Sequence, residues 1–283
     1  SSFAKAVQKR PDALHICFCH NITRFLWDTS TYLNEYKDFS VFYPFIEKIF
    51  HVMRKSDLRY AQEPDVYIAN SSTVSRRIEE IYGKPAVTVN FPIDAERFQF
   101  SKEKDDYYLV SARLLSYKRI DVIVRAFNQL GLSLLVTGDG PERKRLESIA
   151  QENIKFLGHV SDARRRELFA NAKAVIIAAL EDYGLVPIEA NASGTPVICY
   201  GAGGVLDTQI PGKTGLFFEN QTPESLLKAL DQFHEMTWNY EEIREHALDN
   251  FTESIFFEKV EEVIEQNLRA HGLIGSTCTM PVA

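Results

Sequence analysis

From residue 107 onward, short apolar runs alternate with stretches of helical spacing, and this alternation constrains the fold more than any other feature. Strand-like runs read at 107–111, 133–137, 154–157, 174–180, 196–200 and 215–218, and helical stretches at 120–130, 142–149, 162–171, 187–192 and 223–233 fill the gaps. Strand and helix in strict alternation predict a parallel sheet with helices on both faces, an α/β architecture. Ligands of such sheets bind in the crevice at the carboxyl ends of the strands. Ahead of this region the pattern is sparser. Runs at 14–19, 65–69 and 86–89 supply about three strands. Phe45, Ile46, Ile49, Phe50 and Met53 mark an amphipathic helix within 42–53, and Ser71 and Ser72 can cap a further helix. Residues 91–106, with Pro92 and a charged stretch from Ser101 to Asp106, read as a linker. The expected organisation is two Rossmann-like parallel-sheet domains. Residues 1–92 are expected to form a partial N-terminal domain, 93–235 a C-terminal domain, and 236–283 C-terminal helices and tail.

Charge narrows the partners. The 283 residues carry a net charge of −7, which argues against nucleic acid. Within residues 1–60, however, 9 Lys and Arg face 6 Asp and Glu, giving +3 and leaving −10 for the rest. Such a stretch suits an anionic acceptor or lipid headgroup as well as an ordinary solvated surface. Cys17, Cys19, Cys199 and Cys278 show no metal-binding spacing, and the first two are too close to pair on a strand. No apolar run approaches the roughly 18 residues of a membrane span, and no secretory leader pattern is visible. A reduced, cytoplasmic setting is expected, with Asn21-Ile22-Thr23 a chance sequon.

Five segments can carry chemistry. Glu181 follows an almost wholly apolar run, and Glu189 lies eight positions on, after Asp182-Tyr183-Gly184-Leu185-Val186-Pro187-Ile188. Pro187 suits the first turn of a helix, which puts Glu189 in that turn and both acids on the crevice rim. Carboxylates there are good acceptors for sugar hydroxyls, while backbone N–H groups near 184–187 suit an anion. Arg113 and Lys118 follow the first strand of this half and can neutralise a diphosphate. Thr137-Gly138-Asp139-Gly140-Pro141 allows either close backbone approach or simply a tight turn. Gly201-Ala202-Gly203-Gly204 lacks the third glycine of a dinucleotide fingerprint, since Leu206 stands there. Gly212-Lys213-Thr214 lacks the first glycine of a phosphate-binding loop, since Asp207 stands there. No D-x-D is present to clamp a metal–diphosphate. His20, at the end of the first apolar run, is placed for acid–base work or for a structural role.

Together these residues resemble glycosyltransferase family 4 of the GT-B fold. The string from Glu181 to Ala190 looks like that family's E-x7-E motif, continued by Ala192-Ser193-Gly194-Thr195-Pro196-Val197. Arg113 and Lys118 have its R-x4-K spacing, and Thr137–Pro141 and Phe156-Leu157-Gly158-His159-Val160 also match. His15 to Arg24, Trp27-Asp28, Asn70-Ser71-Ser72 and Ile81-Tyr82-Gly83-Lys84-Pro85 are similar to the WbaZ-like mannosyltransferases of polysaccharide and O-antigen assembly. The resemblance implies that Arg113 and Lys118 hold the diphosphate. It implies that Glu181 and the amides near Gly184, Leu185 and Val186 hold the transferred sugar, with Gly138 and Tyr183 also among the donor-binding residues. It gives Glu189 the ribose, the backbone of His159 and Val160 the base, and His20 a catalytic position, with Arg24 an acceptor-side candidate. The implied reaction moves a hexose, expected to be mannose from GDP-mannose, with retention of configuration and without metal or other cofactor. The acceptor would be a glycan or lipid-linked glycan at the inner membrane face, with peripheral membrane contact. Three departures stand out. Further N-terminal strands and a glycine-rich loop are expected that this sequence does not hold. Asn191 replaces a hydrophobic residue, and Leu180 stands where a small or polar residue is usual. A non-catalytic nucleotide-sugar-binding fragment and a GT-B sugar epimerase are the competing expectations.

Overall fold

The structure is a computed structural model that describes residues 2–28 and 43–274. Phe42 and Cys278 lie outside the described residues. The described chain forms two compact units. One takes the residues up to Phe91 together with those from Phe256 onward, and the other runs from Pro92 to Ile255.

The first unit is built on a three-stranded parallel sheet, β1 (Ile16–Cys19), β2 (Val66–Ala69) and β3 (Ala86–Thr88), in that order. Alternation along the strands sorts its two faces. Cys17, Cys19, Tyr67 and Ala69 pack with Val74, Ile78 and Tyr82 of α2 (Ser72–Tyr82). Ile16, Phe18, Val66 and Ile68 pack with Phe256, Val260 and Val263 of the last helix. Ser71 caps α2 by accepting from the Val74 N–H at 3.2 Å, and Gly83 ends it at φ 64°. The amphipathic pattern around residues 45–53 is realised as a longer helix, α1 (Tyr43–Tyr60). Cys17, Cys19 and Cys199 are buried free thiols.

A buried ion pair that the sequence does not advertise anchors the loop after β1. The Lys5 ammonium, 2% exposed, donates to Asp57 Oδ1 at 2.6 Å and to the Tyr82 hydroxyl at 2.6 Å. Asp57 also accepts from Thr23 Oγ1 at 2.7 Å, Trp27 Nε1 at 2.9 Å and the Tyr82 hydroxyl at 2.8 Å. Burial alone would raise the Asp57 pKa. The hydrogen bonds from Lys5, Thr23, Trp27 and Tyr82 outweigh it and leave the pKa below the usual value.

The second unit is a six-stranded, wholly parallel sheet. Its strands are β4 (Tyr108–Ser111), β5 (Leu134–Thr137), β6 (Ile154–Gly158), β7 (Val175–Ile177), β8 (Val197–Tyr200) and β9 (Gly215–Phe218), arranged β6-β5-β4-β7-β8-β9. The helices are α3 (Ile120–Leu130), α4 (Arg143–Ile149), α5 (Asp162–Asn171), α6 (Leu185–Ala192), α7 (Pro223–Glu235) and α8 (Tyr240–Asn250). Residues of α3 and α7, including Ile123, Phe127, Leu226 and Leu230, share one core with Val110, Val136 and Ile176 of the sheet. The last helix, α9 (Glu253–Ala270), completes the chain described.

Two expectations need correction here. Residues 92–106 are not a loose linker. Ile93 N–H donates to Phe251 O at 2.9 Å, and Ile93, Ala95 and Phe98 are buried, so the segment is packed into the second unit. The apolar run 174–180 is strand only over Val175–Ile177. Beyond it the Ala178 carbonyl accepts from Gln221 Nε2 at 2.6 Å, and Glu181 bridges to Gly203 instead of continuing the strand.

Candidate active site

The strand order of the second unit reverses between β4 and β7, the kind of switch point at which open α/β sheets bind ligands. A cavity of about 210 Å³ opens there. Its walls include Val110, Ile120, Ile123, Ile176 and Ile177, and Arg113, Lys118, Glu181 and Val186 also line it. Four residues singled out from spacing, on two loops and a helix start, thus share one cavity.

Lys118 comes from a single 3-10 turn, Ser116–Lys118, that follows β4. The next residue, Arg119, has φ 51° and is the one non-glycine residue in the left-handed region among those described. Such a conformation costs on the order of 1–3 kcal/mol and persists where surrounding contacts enforce it. Arg119 donates to Gln221 O at 3.2 Å, and Gln221 is the residue that holds the Ala178 carbonyl, so the loops after β4 and β7 are tied together. Across the cavity Lys118 Nζ donates to Glu181 Oε1 at 2.6 Å, the two side chains being 17% and 20% exposed. Arg113 is exposed and its guanidinium makes no ion pair among the described residues. The site therefore offers one internally paired cation and one unpaired cation.

Glu181 is seated by glycines. Gly204 N–H donates to the Glu181 carbonyl at 2.8 Å. A Cβ on Gly203 would overlap that same carbonyl, and one on Gly204 would overlap Asp182 O and Tyr183 Cα. The segment Gly201–Gly204 is thus the support of the acidic loop. Tyr183 is a buried peg at 4% exposure, and burial pushes its phenol pKa well up.

Helix α6 begins at Leu185, with Gly184 as N-cap at φ 88° and no side chain capping it. The helix starts two residues before Pro187, so Glu189 lies in the second turn, not the first. Glu189 does not line the cavity. Both its oxygens accept from Arg165 of α5, Oε2 from Nη1 at 2.7 Å and Oε1 from Nη2 at 3.1 Å. Arg165 was missed in the sequence. It is one of three consecutive arginines, Arg164 to Arg166, and only the phase of α5 decides which of them reaches Glu189.

The other expected positions are distributed around the sheet. Gly138 has φ 104°, and a Cβ there would overlap the Ala112 carbonyl, so β5 ends in close backbone approach to β4. Gly138 N–H donates to Gly158 O at 2.8 Å. His159 is exposed and Val160 half-buried, just after β6, two strands away from β4 and apart from the cavity lining. Leu185 is 45% exposed at the start of α6. His20 and Arg24 belong to the first unit. The exposed His20 packs its ring 4.5 Å from that of Phe91, and desolvation lowers its pKa. Arg24 pairs with Asp28 Oδ2 at 3.1 Å. Asn191, the unusual residue of the motif, is 1% exposed, donates to Thr195 O at 3.1 Å and to Thr214 O at 3.2 Å, and accepts from Gln209 Nε2 at 2.7 Å. Thr214 of the Gly212–Thr214 segment is thereby a core residue.

Residues 92–249, more than half of the chain, match the family model described as glycosyl transferases group 1. The chain belongs to this family. Among the relatives of this group 1 member, an uncharacterized glycosyltransferase of Methanocaldococcus jannaschii is 25% identical over 165 residues, covering 55% of this chain and 41% of the relative. A glycogen synthase of Thermus thermophilus is 35% identical over 124 residues, covering 41% of this chain and 28% of that enzyme. The matched region is thus less than half the length of these relatives. Several solved structures share the fold. Anabaena HepE in complex with UDP has a TM-score of 0.72 at 17% identity, over 89% of this chain and 72% of that one. Sucrose-phosphate synthase from Thermosynechococcus elongatus has a TM-score of 0.72 at 19% identity, over 90% and 68%. The fold of this group 1 member is that of the GT-B glycosyltransferases.

Proposed function

We propose that this chain carries the donor site of a retaining hexosyltransferase of family 4, similar to the WbaZ-like enzymes, that uses GDP-mannose and a glycan or lipid-linked acceptor. The observation that carries the reading is the Lys118–Glu181 ion pair beside Arg113 at the strand-order reversal. A hexosyl transfer breaks the bond between the anomeric carbon and the diphosphate oxygen and forms one to the acceptor oxygen on the same face, the acceptor's hydroxyl proton leaving with the departing diphosphate. The departing diphosphate gains negative charge, and the two cations, once seated on the donor phosphates, stabilise it. On donor entry Lys118 exchanges its carboxylate for phosphate oxygens, which releases Glu181 to accept from a sugar hydroxyl. Glu189 takes the ribose diol, the backbone at His159 and Val160 the base, and the uncapped start of α6 adds N–H donors. His20 is assigned to the reacting sugar and Arg24 to the acceptor. No helix among the described residues is long and apolar enough to cross a membrane. The reading places its action at the cytoplasmic membrane face, through surface contact.

The test is release of nucleoside diphosphate from GDP-mannose and from UDP-glucose, the latter because HepE has been captured with UDP-glucose. Lys118→Ala should lower turnover by at least about a hundredfold, as lost charge stabilisation does, and Glu181→Ala should lower it through the lost contact to the sugar hydroxyl. Unchanged turnover in both variants would remove these residues from the mechanism. Calorimetric donor binding without transfer would assign the chain a binding role only.

A further inference from the structure

The outer face of α1 carries a feature unconnected with the donor cavity. Phe45 is 66% exposed, Val52 63%, Ile49 44%, Tyr60 42% and Met53 38%. At 3.6 residues per turn these five fall within an arc of about 100°, interrupted only by Ser56. The arc that faces the unit lies next to it, with Asp57 buried and Ile46, Phe50 and Arg54 partly buried. The apolar surface of the helix is therefore wider than the side that packs, and the excess is turned to solvent.

Charge says what covers it. Lys48, Lys55 and Arg59 are exposed and fall together along the far edge of the exposed apolar arc. None of them makes an ion pair among the described residues. The two acids of the helix are both already paired, Glu47 with Arg54 at 2.6 Å and Asp57 with Lys5 at 2.6 Å. Three uncompensated cations thus border an apolar stripe, on a chain whose net charge is −7. A second copy of this face brings cations and no matching acids. An anionic bilayer surface supplies both an apolar layer for the stripe and negative headgroups for its edge. The helix of 18 residues has too many charges to span a bilayer and can lie in its interface.

We propose that α1 is an interfacial membrane helix that seats this protein on anionic lipid through Phe45, Ile49, Val52, Met53 and Tyr60, with Lys48, Lys55 and Arg59 on the headgroups. The proposal specifies the surface contact invoked above and is independent of the donor chemistry. It is tested by co-sedimentation of the full chain with vesicles of phosphatidylcholine and phosphatidylglycerol at about 3:1, against pure phosphatidylcholine, at about 0.1 M salt. Binding should be at least about tenfold stronger to the anionic vesicles. It should fall at least about tenfold in F45S/V52D, whose side chains are exposed, and fall likewise in K48E/K55E. Equal binding to both vesicle types, no binding, or variants that sediment like the parent would overturn the proposal. So would a dimer by light scattering that F45S/V52D converts to monomer, which would give the face to a second copy. Thermal unfolding of each variant checks that the unit stays folded. Calorimetry with GDP-mannose should be unchanged by these substitutions, which separates failure of membrane seating from failure of the donor assignment.

Discussion

Glu181 and Glu189 look alike in the sequence and are held by different means. Glu181 shares its carboxylate with Lys118 at the cavity, while Glu189 is clamped through both oxygens by Arg165. A guanidinium that takes one lone pair on each oxygen leaves the outer lone pairs for a vicinal diol, with the rotamer already set. Arg165→Gln should therefore weaken donor binding by about ten- to a hundredfold, the size of a lost charge-assisted hydrogen bond, while kcat changes less than KM. A fall in kcat with KM unchanged would disprove this positioning role. Gly204 offers a second check. A methyl group there overlaps Asp182 O and Tyr183 Cα, so Gly204→Ala should displace the Glu181 loop and lower both the unfolding temperature and donor affinity.

The short helical turn Arg24–Trp27 has little to stabilise it locally, with no side-chain cap at Thr23. It is held from outside by the Lys5–Asp57 pair, through Thr23 and Trp27. Removing one partner of a buried pair strands the other charge, at about 3–5 kcal/mol. Asp57→Ala should destabilise the first unit by that order in urea unfolding, while Lys5→Met/Asp57→Leu should recover part of the loss. Because the Asp57 pKa is depressed, its contribution is present above the unfolded carboxylate pKa, near about 4, and is lost as pH falls through the folded value. None of this was legible in the sequence. Lys5 and Asp57 are 52 positions apart, and nothing in their local pattern distinguishes them from solvated charges. The strands of the second unit were legible to within a few residues, because a parallel strand buried on both faces must be apolar throughout.

The second unit contains a group whose ionisation opposes its fold. Lys104, in the segment read as a linker, donates to Ala170 O at 2.6 Å and to Thr195 Oγ1 at 2.9 Å, with its nitrogen 4.9 Å from the centre of the Tyr240 ring. Burial lowers its pKa to about 7. A neutral amine still has the two protons these acceptors need. The folded pKa lies below the unfolded value of about 10.4, so between about pH 7 and pH 10 the unfolded chain binds more protons and stability rises with pH. Below about pH 7 the full deficit is present. Urea unfolding from about pH 6.5 to 9.5 should show Lys104→Met losing this rise, and a constant offset from the parent would refute it. The linker expectation failed for the same reason that Lys104 is unusual. A charged hexapeptide reads as solvated, and only the packing of Ile93, Ala95 and Phe98 draws the segment inward. Periodicity, strand-end glycines and the spacing of Arg113, Lys118 and Glu181 were enough to specify a parallel α/β sheet with an acid and two bases at one cavity, whereas Glu189, expected beside them, does not line it. These patterns are local properties, carried by residues within one or two elements. Which residues meet across the rim was decided by tertiary structure. The reversal between β4 and β7 brings Lys118 to Glu181, the phase of α5 brings Arg165 to Glu189, and the seating of α1 leaves part of its apolar face exposed. Each depends on how elements far apart in the chain pack, which no local pattern encodes.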